Sequence, residues 1–120
     1  MRYFFLIISL TGSIYSQGRL IEDQFISNSL AFERNVNVYL PAMYDSNNTN
    51  IEYPVVYFLH GGGGDHNSYS GIIPILDSLI ANNIIKPMIF VKPDGSCEPY
   101  LGSQYSNSEL YGAFEDYITF

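Results

Sequence analysis

The chain has 120 residues, room for one domain and not two. It is 47% hydrophobic and 14% charged, which is the composition of a globular chain rather than a disordered one. Acidic side chains number 12 against 5 basic ones, so a net charge of −7 and the lack of any basic patch exclude nucleic acid as a partner.

Met1-Arg2 supplies a positive start, Tyr3 to Leu10 an apolar stretch, and Thr11 to Ser16 a small and polar end. That is the pattern of a cleavable secretory signal over residues 1–16, the alternative being a buried first strand. The apolar stretch is shorter than the roughly 20 residues that span a bilayer. A secreted chain, extracellular or periplasmic, would then start near Gln17, with no stable membrane anchor after cleavage. No cysteine lies near the cleavage region to carry a lipid.

Gln24 to Tyr44 reads as two strands. Val36, Val38 and Leu40 alternate with Asn35, Asn37 and Tyr39, the period of a half-buried antiparallel strand, and Pro41 closes it. Asp45 to Asn50 is a polar turn cluster, and its Asn47-Asn48-Thr49 sequon matters only in a eukaryotic secretory pathway. Val55 to Leu59 has no alternation, which predicts a central strand covered on both faces. Gly61 to Tyr69 is a loop. Pro74 to Ala81 predicts a short helix with Pro74 in the first position and Ile75, Leu76, Leu79 and Ile80 on one face, ended by a left-handed Asn82-Asn83. Met88 to Val91 is a second buried strand, stopped by Pro93-Asp94-Gly95. Strand, loop, helix and strand in that order make a βαβ unit with a parallel sheet. From Gly95 to about Tyr111 no regular pattern is visible, and a loop of that length is uncommon unless it serves function. A helix begins around Glu115, whose acidic pair with Asp116 suits a helix N-terminus.

The run His60-Gly61-Gly62-Gly63-Gly64 stands directly after the strand Pro54 to Leu59. An apolar strand ending in His-Gly-Gly-Gly builds half of an oxyanion hole in lipases and esterases. Glycines let the backbone approach a substrate and aim N–H groups at developing negative charge. Two features of the run exclude nucleotide binding. Asp65-His66 stands where a P-loop needs Lys-Ser or Lys-Thr, and no third glycine completes a dinucleotide fingerprint. A plain tight turn needs fewer glycines than these. His60, His66 and the single Cys97 lack metal-ligand spacing, so neither a metal nor a cofactor is expected. Cys97 is a free thiol or pairs with a cysteine elsewhere.

Four stretches together resemble the esterase family of α/β hydrolases that groups feruloyl and acetylxylan esterases, enterochelin esterases and S-formylglutathione hydrolases. They are Asn35 to Pro41, Tyr53 to Gly64, Met88 to Gly95 and Tyr111 to Ile118. The resemblance implies an α/β fold over residues 17–120: the N-terminal portion of an α/β-hydrolase domain, incomplete, with antiparallel strands leading into a mostly parallel sheet and flanking helices. It implies a secreted serine esterase acting on small-molecule or polysaccharide esters, with carbohydrate-attached acyl or feruloyl groups the expected class. In this family the serine elbow, acid and histidine come later in the chain, and no Gly-x-Ser-x-Gly occurs among the 120 residues. The chain alone is therefore expected to be inactive. By the same resemblance Gly62 and Gly63 are the candidate oxyanion N–H donors and His60 braces their loop. Asp65, His66, Tyr100 and Tyr105 are candidate substrate contacts, although His66 also reads as a solvated loop histidine and the tyrosines as packing groups. Asp94 either caps the turn after its strand or supports the site from behind. The alternative is a non-catalytic remnant, or a small module that binds a sugar or an aromatic group without cleaving it.

Overall fold

A computed structural model describes residues 16–119. The expected signal segment lies outside them, apart from Ser16. The chain runs β1 (Arg19–Ile26), β2 (Glu33–Leu40), β3 (Val55–Tyr57), α1 (Ile72–Ala81), β4 (Ile89–Pro93), β5 (Asn107–Ser108), β6 (Gly112–Ala113) and α2 (Phe114–Thr119). The main sheet has the order β1-β2-β4-β3.

β1 and β2 form an antiparallel hairpin from Arg19↔Leu40 to Ile26↔Glu33, so β1 begins upstream of the expected Gln24. Its turn is closed locally: the Ala31 N–H donates to the Ser27 carbonyl at 2.8 Å and the Leu30 N–H to the Ser27 hydroxyl at 3.2 Å. β2 continues antiparallel onto β4, with Val36↔Pro93 and Tyr39↔Phe90 in register. β3 pairs parallel with β4, so β3, α1 and β4 form the expected βαβ unit.

Two expectations about the strands fail. Val55 to Leu59 does not make a covered central strand. β3 is three residues long, its residues are exposed, and nothing among the described residues pairs its other edge. β4 takes the interior position instead. In β2 the phase is inverted: Asn37 and Tyr39 are the fully buried positions, while Val36 and Val38 are half-buried on the opposite face. Hydrogen bonds make the inversion possible. The Tyr39 hydroxyl donates to Asp77 at 2.7 Å, and Asn37 Nδ2 donates to the His66 carbonyl at 3.1 Å and Asn67 Oδ1 at 2.8 Å. Buried polar groups are tolerated when partnered in this way.

α1 packs on that same face. Tyr39, Leu76 and Phe90 form the buried centre, with Phe58, Ile72, Ile73, Ile80 and Ile85 around them. The helix starts two residues before Pro74, and its inward stripe is Ile72, Ile73, Leu76 and Ile80; Ile75 faces solvent. Its end has the expected chemistry. Asn83 is left-handed at φ 55°, its N–H reaches the Ile80 carbonyl and the Ile84 N–H the Leu79 carbonyl, which together are a Schellman cap. The segment after Gly95, expected to be irregular, contains the short hairpin β5–β6. Asn107 in β5 caps α2 from outside by accepting the Glu115 and Asp116 N–H groups at 3.0 and 3.3 Å.

The face carrying Phe25, Val36, Tyr57 and Val91 is an open groove of about 380 Å³ that α2 only partly covers. An unpaired edge beside an apolar face is a template for self-association. Residues 17–120 produced alone should therefore self-associate and bind a hydrophobic dye. Val56→Lys, which puts a charge on the free edge, should shift the product toward monomer in sedimentation velocity. A wild-type monomer that unfolds cooperatively would show that this edge is not adhesive.

Candidate active site

Because β3 and β4 are parallel, the loops that leave their C-terminal ends meet at one rim of the sheet, where open α/β sheets place ligands. After β3 comes the glycine loop, and after β4 the turn Asp94 to Ser96. His60 sits between them, with its side chain 3% exposed.

Both ring nitrogens of His60 are committed. The Gly95 N–H donates to Nε2 at 2.9 Å, so that nitrogen carries a lone pair. The proton is then on Nδ1, which donates to the Gly61 carbonyl at 2.8 Å. The ring is neutral in this arrangement, and its 3.8 Å approach to the Asp94 carboxylate is not an ion pair. Gly61 O also accepts the Gly64 N–H at 3.1 Å. The Gly61 carbonyl and the Gly62 N–H belong to one planar trans peptide and point in opposite directions. With the carbonyl held inward, the Gly62 N–H is directed away from His60. It has no acceptor among the described residues. The Gly63 N–H differs, because it donates to the Leu101 carbonyl. Gly63 is left-handed at φ +74°, a conformation that favours glycine. Of the two expected donors, then, Gly62 is free and Gly63 is engaged.

Leu101 belongs to a strap that lies over the glycine loop. Ser103 ties this strap down, its N–H and hydroxyl both donating to the Gly95 carbonyl at 3.2 and 2.9 Å. Tyr105 closes it by donating its hydroxyl to the His60 carbonyl at 3.2 Å, with its ring edge-on to the imidazole. Burial pushes the Tyr105 pKa up to about 12, so the hydroxyl keeps its proton. Gln104 and Tyr105 are left-handed at φ 54° and 49°, backbone strain of the kind that collects at functional sites. A cleft of about 130 Å³ remains, lined by His60, Gly61, Gly62, Gly102, Gln104 and Tyr105 among others.

The other expected contacts lie apart from this cleft. Asp65 is turned into its own loop, where Oδ1 accepts the Asn67 and Ser68 N–H groups at 2.9 and 3.1 Å. His66 is not a solvated loop residue. Its Nε2 lies 3.1 Å from the Asn67 amide nitrogen, and its Nδ1 faces Asp94 Oδ2 at 3.8 Å. Tyr100 lies tilted against Tyr111 in a neighbouring cavity beside Phe32, Arg34 and Cys97. Cys97 is half-buried and free. Among the described residues, no cluster of His, Cys, Asp and Glu could hold a metal ion, and no helix is long and apolar enough to cross a membrane. No serine hydroxyl is hydrogen-bonded to an imidazole nitrogen among the described residues, so no nucleophile–base pair is present there.

Three buried groups around the site were not legible in the sequence. Arg34 on β2 ion-pairs with Asp94 Oδ1 at 3.1 Å. Asn37 holds the glycine-loop end through His66 and Asn67. Lys92 is 2% exposed, and burial pushes its ammonium below the ordinary lysine range while Asp65 pulls it back. Asp94 caps its own turn, its Oδ1 accepting the Ser96 N–H at 2.9 Å. Burial alone would raise the Asp94 pKa. The Ser96 hydrogen bonds, then Arg34 and His66, outweigh it and hold the carboxyl below its ordinary 3.8. A carboxylate depressed on folding contributes stability above its unfolded pKa, and that contribution is lost as pH falls through the folded value. Thermal unfolding followed from about pH 6 to pH 2 should therefore lose an acid-labile component below about pH 4. Asp94→Asn should flatten that limb.

The "Putative esterase" family model matches residues 27–120. Endo-1,4-beta-xylanase Y of Acetivibrio thermocellus is 33% identical over 87 residues, which is 67% of this chain and 8% of that protein. A ferulic acid esterase of Anaeromyces mucronatus, solved in complex with ferulic acid, superposes with a TM-score of 0.59 at 31% identity, over 70% of this chain and 31% of its own. Another ferulic acid esterase shares the fold with a TM-score of 0.73 at 23% identity, over 85% of this chain and 39% of that one. The chain thus spans well under half the length of these relatives. The match runs from the turn between β1 and β2 to the last residue, and the chain belongs to this esterase family.

Proposed function

We propose that this chain supplies the oxyanion-loop half of a secreted serine esterase that cleaves ester-linked acyl groups, with feruloyl or acetyl groups on plant carbohydrate the expected substrates. The observation that carries the reading is the Gly62 N–H, unpaired among the described residues and aimed away from a buried neutral His60. Relatives named for ferulic acid and xylan support the substrate class. The N-terminal charge and apolar pattern supports secretion. No Gly-x-Ser-x-Gly occurs among these 120 residues, and the family order of serine elbow, acid and histidine would place all three after the segment matched here.

In the reaction a serine oxygen attacks the ester carbonyl, and negative charge develops on the carbonyl oxygen. The Gly62 N–H receives that oxygen together with the N–H of the residue after the serine. His60 does not move protons here, because both of its nitrogens are occupied; it braces the loop. Gly63 secures the strap through Leu101 rather than meeting the substrate. The strained Gln104 and Tyr105 wall the cleft. Asp65, His66 and Tyr100 support the surrounding loops and do not contact the reacting group.

The test is hydrolysis of methyl ferulate and of acetylated xylo-oligosaccharide by the full-length gene product, with fluorophosphonate labelling of its serine. Gly62→Pro removes the proposed donor and should lower kcat by about 10²–10³-fold. Gly63→Pro should instead lower thermal stability, through loss of the Leu101 contact and because proline cannot take the φ of +74° held there. No turnover and no labelling, with saturable binding of a ferulate or xylo-oligosaccharide ligand, would replace this reading with the binding-module one.

A further inference from the structure

We propose that Arg34, far from the glycine loop in sequence, is the positioning residue that sets the direction of the Gly62 N–H. The role deepens the esterase reading and rests on it for its catalytic consequence. Arg34 is buried, and its hydrogen-bonding fork is spent on one turn. Nε donates to the Asp94 carbonyl at 3.1 Å and Nη2 to that same carbonyl and to the Ser96 carbonyl at 3.0 Å, while Nη2 also meets Asp94 Oδ1 at 3.1 Å. The rings of Phe32, Phe114 and Tyr117 pack around the guanidinium at 5.4, 5.4 and 5.9 Å and fix its plane.

The Asp94 carbonyl and the Gly95 N–H are two ends of one planar peptide. Holding the carbonyl toward Arg34 points the N–H the opposite way, onto His60 Nε2. That hydrogen bond makes Nε2 the acceptor and leaves the proton on Nδ1. Nδ1–H in turn holds the Gly61 carbonyl, and the same planarity turns the Gly62 N–H outward. The relay therefore runs Arg34, peptide 94–95, imidazole, peptide 61–62. Each step passes a direction and none passes a charge. Gly95 leaves room for the Tyr105 ring, which a Cβ at that position would push out of place.

A buried ion pair alone is weak support for stability. A lysine would retain the charge at Arg34 and lose the fork that grips two carbonyls at once. The relay thus predicts that charge does not rescue function. In full-length protein with ¹⁵N-labelled histidine, Arg34→Lys should convert His60 from a single Nδ1–H tautomer to a mixture. It should also lower kcat by about 100-fold with KM little changed, the size expected for a misaimed catalytic group. Ile80→Ala, which loosens the packing of α1 on the core and touches neither Arg34 nor either turn, serves as the destabilised control and should change neither readout. Arg34→Met, which removes charge and fork together, should give the same two changes; should it not fold, the folded Arg34→Lys protein still decides. An unchanged tautomer in Arg34→Lys, or equal changes in Ile80→Ala, would overturn the relay. If the wild-type protein hydrolyses no ester, the esterase reading falls, and the tautomer comparison still judges the relay independently.

Discussion

A planar peptide cannot turn its carbonyl without turning its N–H, and this site hangs on two such peptides joined by a neutral imidazole. The Gly95 N–H grips one nitrogen of His60, and the other nitrogen grips Gly61. A protonated ring would break the first contact, because it would present a donor to a donor. Burial of His60 and the surrounding hydrogen bonds therefore preserve a state as well as a shape.

The rest of the fold serves that constraint. The parallel pairing of β3 and β4 brings the glycine loop and the Asp94 turn to the same rim. The antiparallel hairpin delivers Arg34 and Asn37 from the other side of β4. α1 seals the face on which Tyr39 and Phe90 lie, and the strap from Leu101 to Tyr105 closes the top. The polar groups on the inward face of β2 are costly to bury unless partnered. Asp77 partners Tyr39, and the His66 carbonyl and Asn67 partner the Asn37 amide, while Arg34 on the opposite face is held by the carbonyls of the β4 turn; together they tie the N-terminal hairpin to the loops of the site.

The motif His60 to Gly64 was readable because its chemistry is local: glycine runs after a strand serve close backbone approach. Its assignment to individual donors was not, because Gly62 and Gly63 differ only in what sits opposite them. Leu101, which takes the Gly63 N–H, lies in a segment without periodicity. Arg34 was invisible for a similar reason. Its acceptors are carbonyls 60 and 62 residues away, and carbonyls carry no sequence signature. Asp65, His66 and Tyr100 engage their own turn, a neighbouring amide and a neighbouring ring here, contacts that leave no signature in the sequence.

Sequence alone determined the order of the elements as far as β4, the βαβ unit, the helix stop at Asn83 and the glycine loop after a strand, but not the β5–β6 hairpin. These depend on local periodicity and on backbone conformations that particular residues favour. Tertiary structure decided the phase of β2, the edge position of β3, the helix face that turns inward and the glycine whose N–H stays free. An alternating strand specifies a period but not which face is inside when tyrosine and asparagine can find partners there. A short apolar run is equally consistent with an edge or a centre until its neighbours are placed. A free N–H is defined only by the absence of an acceptor, and acceptors are supplied by the rest of the fold.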